Sequence, residues 1–184
     1  MFRYLFLIVL LSVLFISCDP FGDDGGGVSH FEVIVTGDIS VQFEGSSTFG
    51  TYFDPQLGLQ GTIIIMSDVV NQQRAVNFSG LTTGQLQATQ YPIIEAAPGE
   101  TFEPIEQNEF TATFLNEEED YFDIFPSQAG QLRFSSSSDN VLEGSFSFES
   151  MGLRVIENEN ENSDTVEVWI TVEGQFTSVR GAVL

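Results

Sequence analysis

The sequence predicts an all-β protein, a single antiparallel β-sandwich or partly closed β-barrel of about 8 to 10 strands. Three observations point there. Apolar and polar residues alternate over long stretches at both ends of the folded part. Short β-type runs separated by Gly, Asn, Asp, Ser and Pro clusters fill the interval. No segment combines a sustained helical period with a cap. The eighteen phenylalanines of the 184-residue chain suit the interior of such a fold.

An export segment precedes the fold. In MFRYLFLIVLLSVLFISC, one positive charge at Arg3 is followed by an apolar run from Tyr4 to Ile16, interrupted only by Ser12. A short basic start, an apolar stretch and the small residue Ser17 make the layout of a secretory signal peptide. A membrane span needs about 20 apolar residues, and this run is shorter and lacks a basic stop-transfer flank. Residues 1–17 therefore read as a signal peptide helix. Residues 18–29, with the acidic, Gly-rich stretch DPFGDDGGG, read as a flexible tether into a single domain over residues 30–184.

Cys18 is the one cysteine, so no disulfide can form within the chain. A signal peptide cut elsewhere would leave it a free thiol, a liability in an oxidising compartment. The residues Leu14-Phe15-Ile16-Ser17-Cys18 resemble the lipobox of bacterial lipoproteins, although Phe15 stands where the family usually has leucine and Ile16 where a small residue is commoner. The resemblance implies cleavage after Ser17 and acylation of Cys18, which would anchor the domain to a lipid bilayer. One acyl chain anchors marginally, whereas two or three hold firmly. The acidic stretch after Cys18 is similar to that of surface-exported lipoproteins of the Bacteroidota. This implies display on the outer-membrane surface in preference to a periplasm-facing position.

The first β segment is FEVIVTGDISVQF. Phe31, Val33, Val35, Ile39, Val41 and Phe43 take one side and Glu32, Thr36, Asp38, Ser40 and Gln42 the other. It is either one half-buried strand or a hairpin broken at Thr36-Gly37-Asp38. Further runs are expected over Thr48 to Phe53, Leu57 to Met66, Ala75 to Phe78, Phe110 to Leu115, Tyr121 to Phe125, Gln131 to Ser135, Val141 to Phe148 and Leu153 to Ile156. A short helical turn is expected around Thr82 to Gln90. Glu95 to Asn108, with Pro98, Gly99 and Pro104, reads as a long crossover between two sheets. In the last segment Val166, Val168, Ile170, Val172 and Phe176 share a face. A local echo, E-G-x-F-[ST], occurs at Glu143 to Ser147 and at Glu173 to Thr177. Its glycines permit a bulge or a close approach, with phenylalanine returning inward.

FTATF, GQLRF, VLEGSFSFES and the terminal VEGQFTSV resemble strands of a group of uncharacterised Bacteroidota-type lipoproteins, which carry a G-T-F-S-F-like strand followed by a closing G-x-F strand. The likeness covers about the last 75 residues plus the lipobox. It implies compartment and fold, and brings no activity and no catalytic residue.

The formal charge is −22, with no lysine and only Arg3, Arg74, Arg133, Arg154 and Arg180 as basic residues. Such a surface excludes nucleic acid, which needs clustered Lys and Arg to neutralise phosphates. It also gives no electrostatic hold on an anionic membrane. Spread carboxylates keep a protein dispersed in a salty environment, the reading that the absence of lysine favours; alternatively, local groups of them bind Ca²⁺. The candidate Ca²⁺ loop is NEEEDYFD, which brings Glu117, Glu118, Glu119, Asp120 and Asp123 into one turn. A second acidic loop runs from Glu157 to Asp164. Both lack the D-x-[DN]-x-[DN]-G spacing, and a solvated hairpin tip is the alternative for each.

Trp169, the one tryptophan, falls out of phase with Val168 and Ile170, on the nominally polar face. There it either stacks on a sugar ring or anchors a partner, or else a crossover covers it. His30, the one histidine, starts the first strand beside the tether, where it reads as a solvated terminal residue. G-x-S-x-G, H-E-x-x-H and P-loop motifs are absent, so no catalytic residue and no cofactor are assigned. The expected function is that of a lipid-anchored, non-enzymatic extracytoplasmic β-domain that binds a partner or joins an envelope assembly. The alternatives are a carbohydrate-binding module using Trp169 and a carboxylate-dependent glycan hydrolase.

Overall fold

The computed structural model of the protein describes residues 28–55, 58–68, 73–96, 107–118, 121–157 and 163–181. Nine strands form one sheet: β1 (His30–Gly37), β2 (Val41–Asp54), β3 (Leu59–Asp68), β4 (Arg74–Thr82), β5 (Gln90–Ile93), β6 (Glu109–Glu118), β7 (Tyr121–Ser137), β8 (Val141–Glu157) and β9 (Ser163–Arg180). Their hydrogen-bonded order is β1-β2-β3-β4-β6-β5-β7-β8-β9, and β9 pairs back with β1 to close a barrel. The all-β prediction holds. The pairing is antiparallel except for two short parallel contacts, β2 with β9 and β5 with β6.

The first segment is a hairpin. Gly37 ends β1 with φ of 114°, a backbone state that side chains with a Cβ resist. A Cβ there would also lie 2.5 Å from the Trp169 carbonyl oxygen. Phe31, Val33, Val35 and Phe43 are buried as their alternation requires, as are Val168, Ile170, Val172 and Phe176 of β9.

Three expectations are corrected. No helical turn occupies residues 82–90 among the described residues; bends lead there into β5, a strand that the periodicity missed. The stretch before β6 joins two neighbours in the same sheet, so it does not cross between sheets. Finally, the separate runs at 121–125 and 131–135 are one strand, β7, as are those at 141–148 and 153–156, β8.

β7 stays continuous by changing partners. It pairs with β6 up to Pro126, while Gln131 to Arg133 lie against β5 on one side and β8 on the other. Where β6 and β7 part, the buried hydroxyl of Ser127 accepts the Ala112 N–H (3.1 Å) and donates to the Ile94 carbonyl (2.7 Å). The Ser150 hydroxyl donates to the Pro126 carbonyl. These side chains satisfy backbone groups that the splayed ladder would leave unpaired.

The interior is filled with side chains. Phe31, Phe78, Phe110, Phe114, Phe125, Phe134 and Phe148 are at most 1% exposed and belong to one contiguous apolar cluster. Phe78 meets Phe146 edge-on at 4.9 Å between ring centroids, and Phe134 meets Phe176 likewise at 6.0 Å, the geometry that aromatic quadrupoles favour.

The sequence echo has a structural meaning here. β8 and β9 pair so that Gly144 lies opposite Phe176 and Phe146 opposite Gly174. A Cβ on Gly174 would sit 2.6 Å from the Phe146 ring, and one on Gly144 would sit 2.9 Å from the Phe176 ring. Each ring thus lies over the glycine across from it, the arrangement by which aromatic residues compensate for strand glycines.

Candidate functional site

The barrel has two dissimilar ends. The β1–β2, β6–β7 and β8–β9 connections share one, the hairpin end. At the other, the tether end, β1 begins, β9 finishes and β7 turns into β8 through residues 138–140. Ser29 fastens the incoming chain there: its hydroxyl donates to the Ser47 carbonyl (2.6 Å) and accepts the Ser47 N–H (2.7 Å). Buried Ser47 and Ser178 join β2 to β9 through their hydroxyls. The predicted signal peptide, Ser17, Cys18 and the tether through Gly27 lie outside the described residues.

The first acidic loop is divided by the sheet. Glu117 and Glu118 end β6, and Glu119 and Asp120 lie outside the described residues. Asp123 is the third residue of β7, opposite Asn116. Strand alternation turns Asp123 inward, to 6% exposure, whereas Glu117 points to solvent. Glu117 and Asp123 therefore lie on opposite faces, so these two of the five candidate carboxylates do not converge. The Asp123 carboxylate is also engaged, accepting Arg154 Nε at 3.2 Å and Arg154 Nη2 in an ion pair. Beside it Arg74 Nε donates to Asn116 Oδ1 at 3.1 Å. A layer of polar side chains therefore closes the hairpin end of the phenylalanine core. Residues 158–162 of the second acidic loop lie outside the described residues.

Trp169 is 48% exposed on the outer surface of β9, and no described crossover covers it. β1 stops beside it. Its carbonyl accepts the Asp38 N–H (3.0 Å), and its own N–H donates to Asp38 Oδ2 (2.8 Å). Beyond that point the β8–β9 hairpin continues past the end of β1, with Met151 opposite Trp169 and Leu153 opposite Glu167. Leu153 is 64% exposed, and Ile124 on the adjacent β7 is 52% exposed. Three neighbouring strands thus each present a large apolar residue to solvent near the hairpin end. Alternation identified Trp169 as outward-facing. Leu153 and Ile124 were missed because they read as ordinary strand residues until their inward neighbours, Arg154 and Asp123, set the phase.

At the tether end a small pocket of about 50 Å³ lies among Phe49, Thr51, Leu86, Ser137, Asp139 and Arg180. Arg180 reaches across it to the Asp139 carbonyl (3.1 Å) and the Thr51 hydroxyl (2.7 Å). A shallower groove of about 330 Å³ runs past His30, Glu143, Gln175 and Thr177. Each of these two hollows has one carboxylate residue in its lining, Asp139 and Glu143, so neither offers the paired carboxylates of a glycoside hydrolase. No protein-family model, no curated protein and no solved structure matches this chain.

Proposed function

We propose that the protein is a lipid-anchored envelope component, held by acylated Cys18 at the outer-membrane surface, that recognises a partner protein through the outside of its barrel. The observation that carries this reading is the exposed apolar strip of Ile124, Leu153 and Trp169. A soluble surface scatters such residues singly, and grouping on neighbouring strands marks an interaction face. Because phenylalanine fills the interior, recognition belongs to the exterior. The strip is also well placed for an anchored molecule. His30 and Gly37 are the two ends of β1, and Trp169 lies just past Gly37; at about 3.3 Å per residue that is roughly 23 Å from where the tether enters.

Two experiments test the two halves. Cys18→Ser should abolish incorporation of labelled fatty acid and release a soluble or unprocessed form; membrane retention of a processed Cys18→Ser protein would overturn the anchor. A photo-crosslinking residue at position 153 should give one discrete protein adduct in whole envelopes, lost on Trp169→Ala; no adduct would overturn the partner. The exposed indole also favours a second reading, a carbohydrate-binding face. A blue shift of Trp169 emission on adding envelope polysaccharide, with no protein adduct, would select it.

A further inference from the structure

We infer that His30, Glu32 and Glu44 form a binding site for a first-row divalent metal ion of the zinc class. β1 and β2 pair so that Glu32 and Glu44 are directly opposite each other, and His30, two residues before Glu32, points to the same outward face. One donor atom from each of the three lies within 4.8 Å of the other two. His30 Nε2 is 3.6 Å from Glu32 Oε1.

Two like charges directly opposite on paired strands repel, and among the described residues this pair has little to offset it. The chain has no lysine. Arg74 and Arg154 are engaged at the hairpin end, and Arg180 bonds to Asp139 and Thr51. Arg133 lies three strands away along the row Glu32, Gln175, Ser145, Arg133, roughly 14 Å at the usual strand spacing. The basic group that shares the face with both carboxylates among the described residues is the one imidazole of the chain.

That imidazole also decides the ion. Ca²⁺ and Mg²⁺ take all-oxygen sets, whereas a nitrogen with two carboxylate oxygens suits Zn²⁺ and its neighbours. Donors around Zn²⁺ at about 2.0 to 2.2 Å lie roughly 3.3 Å apart, so these atoms must close by up to about 1.5 Å. His30 and Glu32 are about half exposed and free to do so. One contact already orients the set: Gln175 Nε2 donates to Glu32 Oε2 at 3.2 Å, leaving the other oxygen toward His30, as outer partners of metal ligands do. His30 also borders the groove described above, which leaves room for water at the remaining positions. The ion would tie β1 to β2 beside Ser29, at the root of the tether. The site is independent of both the anchor and the apolar strip.

The test is calorimetric titration of ZnCl₂ into the full-length, detergent-solubilised, chelator-treated chain, in a Cys18→Ser background so that its thiol cannot compete. One ion per chain should bind, with a raised Tm and a shifted imidazole resonance that is unambiguous because His30 is the one histidine. His30→Ala and Glu44→Gln should each weaken binding at least tenfold without lowering the metal-free Tm, which Glu44→Gln should raise slightly by relieving the repulsion with Glu32, and a tenfold excess of Ca²⁺ should not displace Zn²⁺. No binding by the parent chain, undiminished binding by His30→Ala, or displacement by Ca²⁺ would each overturn the assignment.

Discussion

Gly174→Ala probes the pairing of glycine with phenylalanine across β8 and β9. The new methyl would lie 2.6 Å from the tip of the Phe146 ring and 2.6 Å from the Glu32 carbonyl oxygen. The ring is enclosed by Phe78, Phe148 and Phe176, and the carbonyl belongs to the paired strand β1, so neither yields easily. Overpacking of this kind costs about 1 to 3 kcal/mol. Against it stands about 0.4 to 1 kcal/mol from the stiffer unfolded chain. The middles of the two ranges, about 2 against about 0.7 kcal/mol, leave an expected net loss of about 1.3 kcal/mol, or roughly 3 to 5 °C in Tm for a domain of this size. Gly50→Ala is the control, because a Cβ there has no neighbour within 4 Å and only the unfolded-state gain operates. Urea unfolding of both variants, followed by far-UV circular dichroism, gives the comparison. If Gly174→Ala matched the parent, or if the two variants moved together, the interlock would not be what holds these strands in register.

Two further substitutions address buried polar groups. Asp123→Ala should cost about 2 to 3 kcal/mol in the same assay, less than the upper range for a broken buried pair because the Arg154 side chain keeps 26% exposure; a loss below 0.5 kcal/mol, well under ~1 kcal/mol for an ordinary hydrogen bond, would show the pair to be idle. Thr62 is fully buried, and its hydroxyl has no hydrogen-bond partner among the described residues. Thr62→Val, which removes that hydroxyl, should leave stability unchanged or raise it by about 1 kcal/mol; a clear loss would reveal a partner for it.

The alternation in β1, β2 and β9 was legible because each of these strands buries one face only, and the period of two survives wherever that holds. β5 was not. Its four residues include Pro92 and sit in a gap opened by the parting of β6 and β7, which is a property of distant strands. The unity of β7 and β8 was hidden because Pro126, Ser127 and Gly152 read as breakers, whereas here they occupy the place where β7 changes partner. The echo around Gly144 and Gly174 was visible as a pattern, but its meaning required knowing that the two copies lie side by side in opposite directions. Among the candidate residues, the outward position of Trp169 followed from phase. The inward turn of Asp123 depended on Arg154, a residue 31 positions away, and the metal-ligand grouping on the register that sets Glu44 against Glu32.

Closure of the barrel by β1 and β9 also constrains how the chain reaches its folded state. β1 pairs with β2 on one side, but its whole length from His30 to Gly37 waits for Thr177 to Ile170 on the other. Contacts this distant along the chain must overcome loop-closure entropy before they reward it, which makes their formation slow. Of the described strands, the first to be synthesised is thus completed by the last. Until β9 arrives, the β1 edge lacks that partner and the barrel cannot close, so closure is a late step of folding. Truncation before Ile170 would leave an open sheet rather than a smaller barrel.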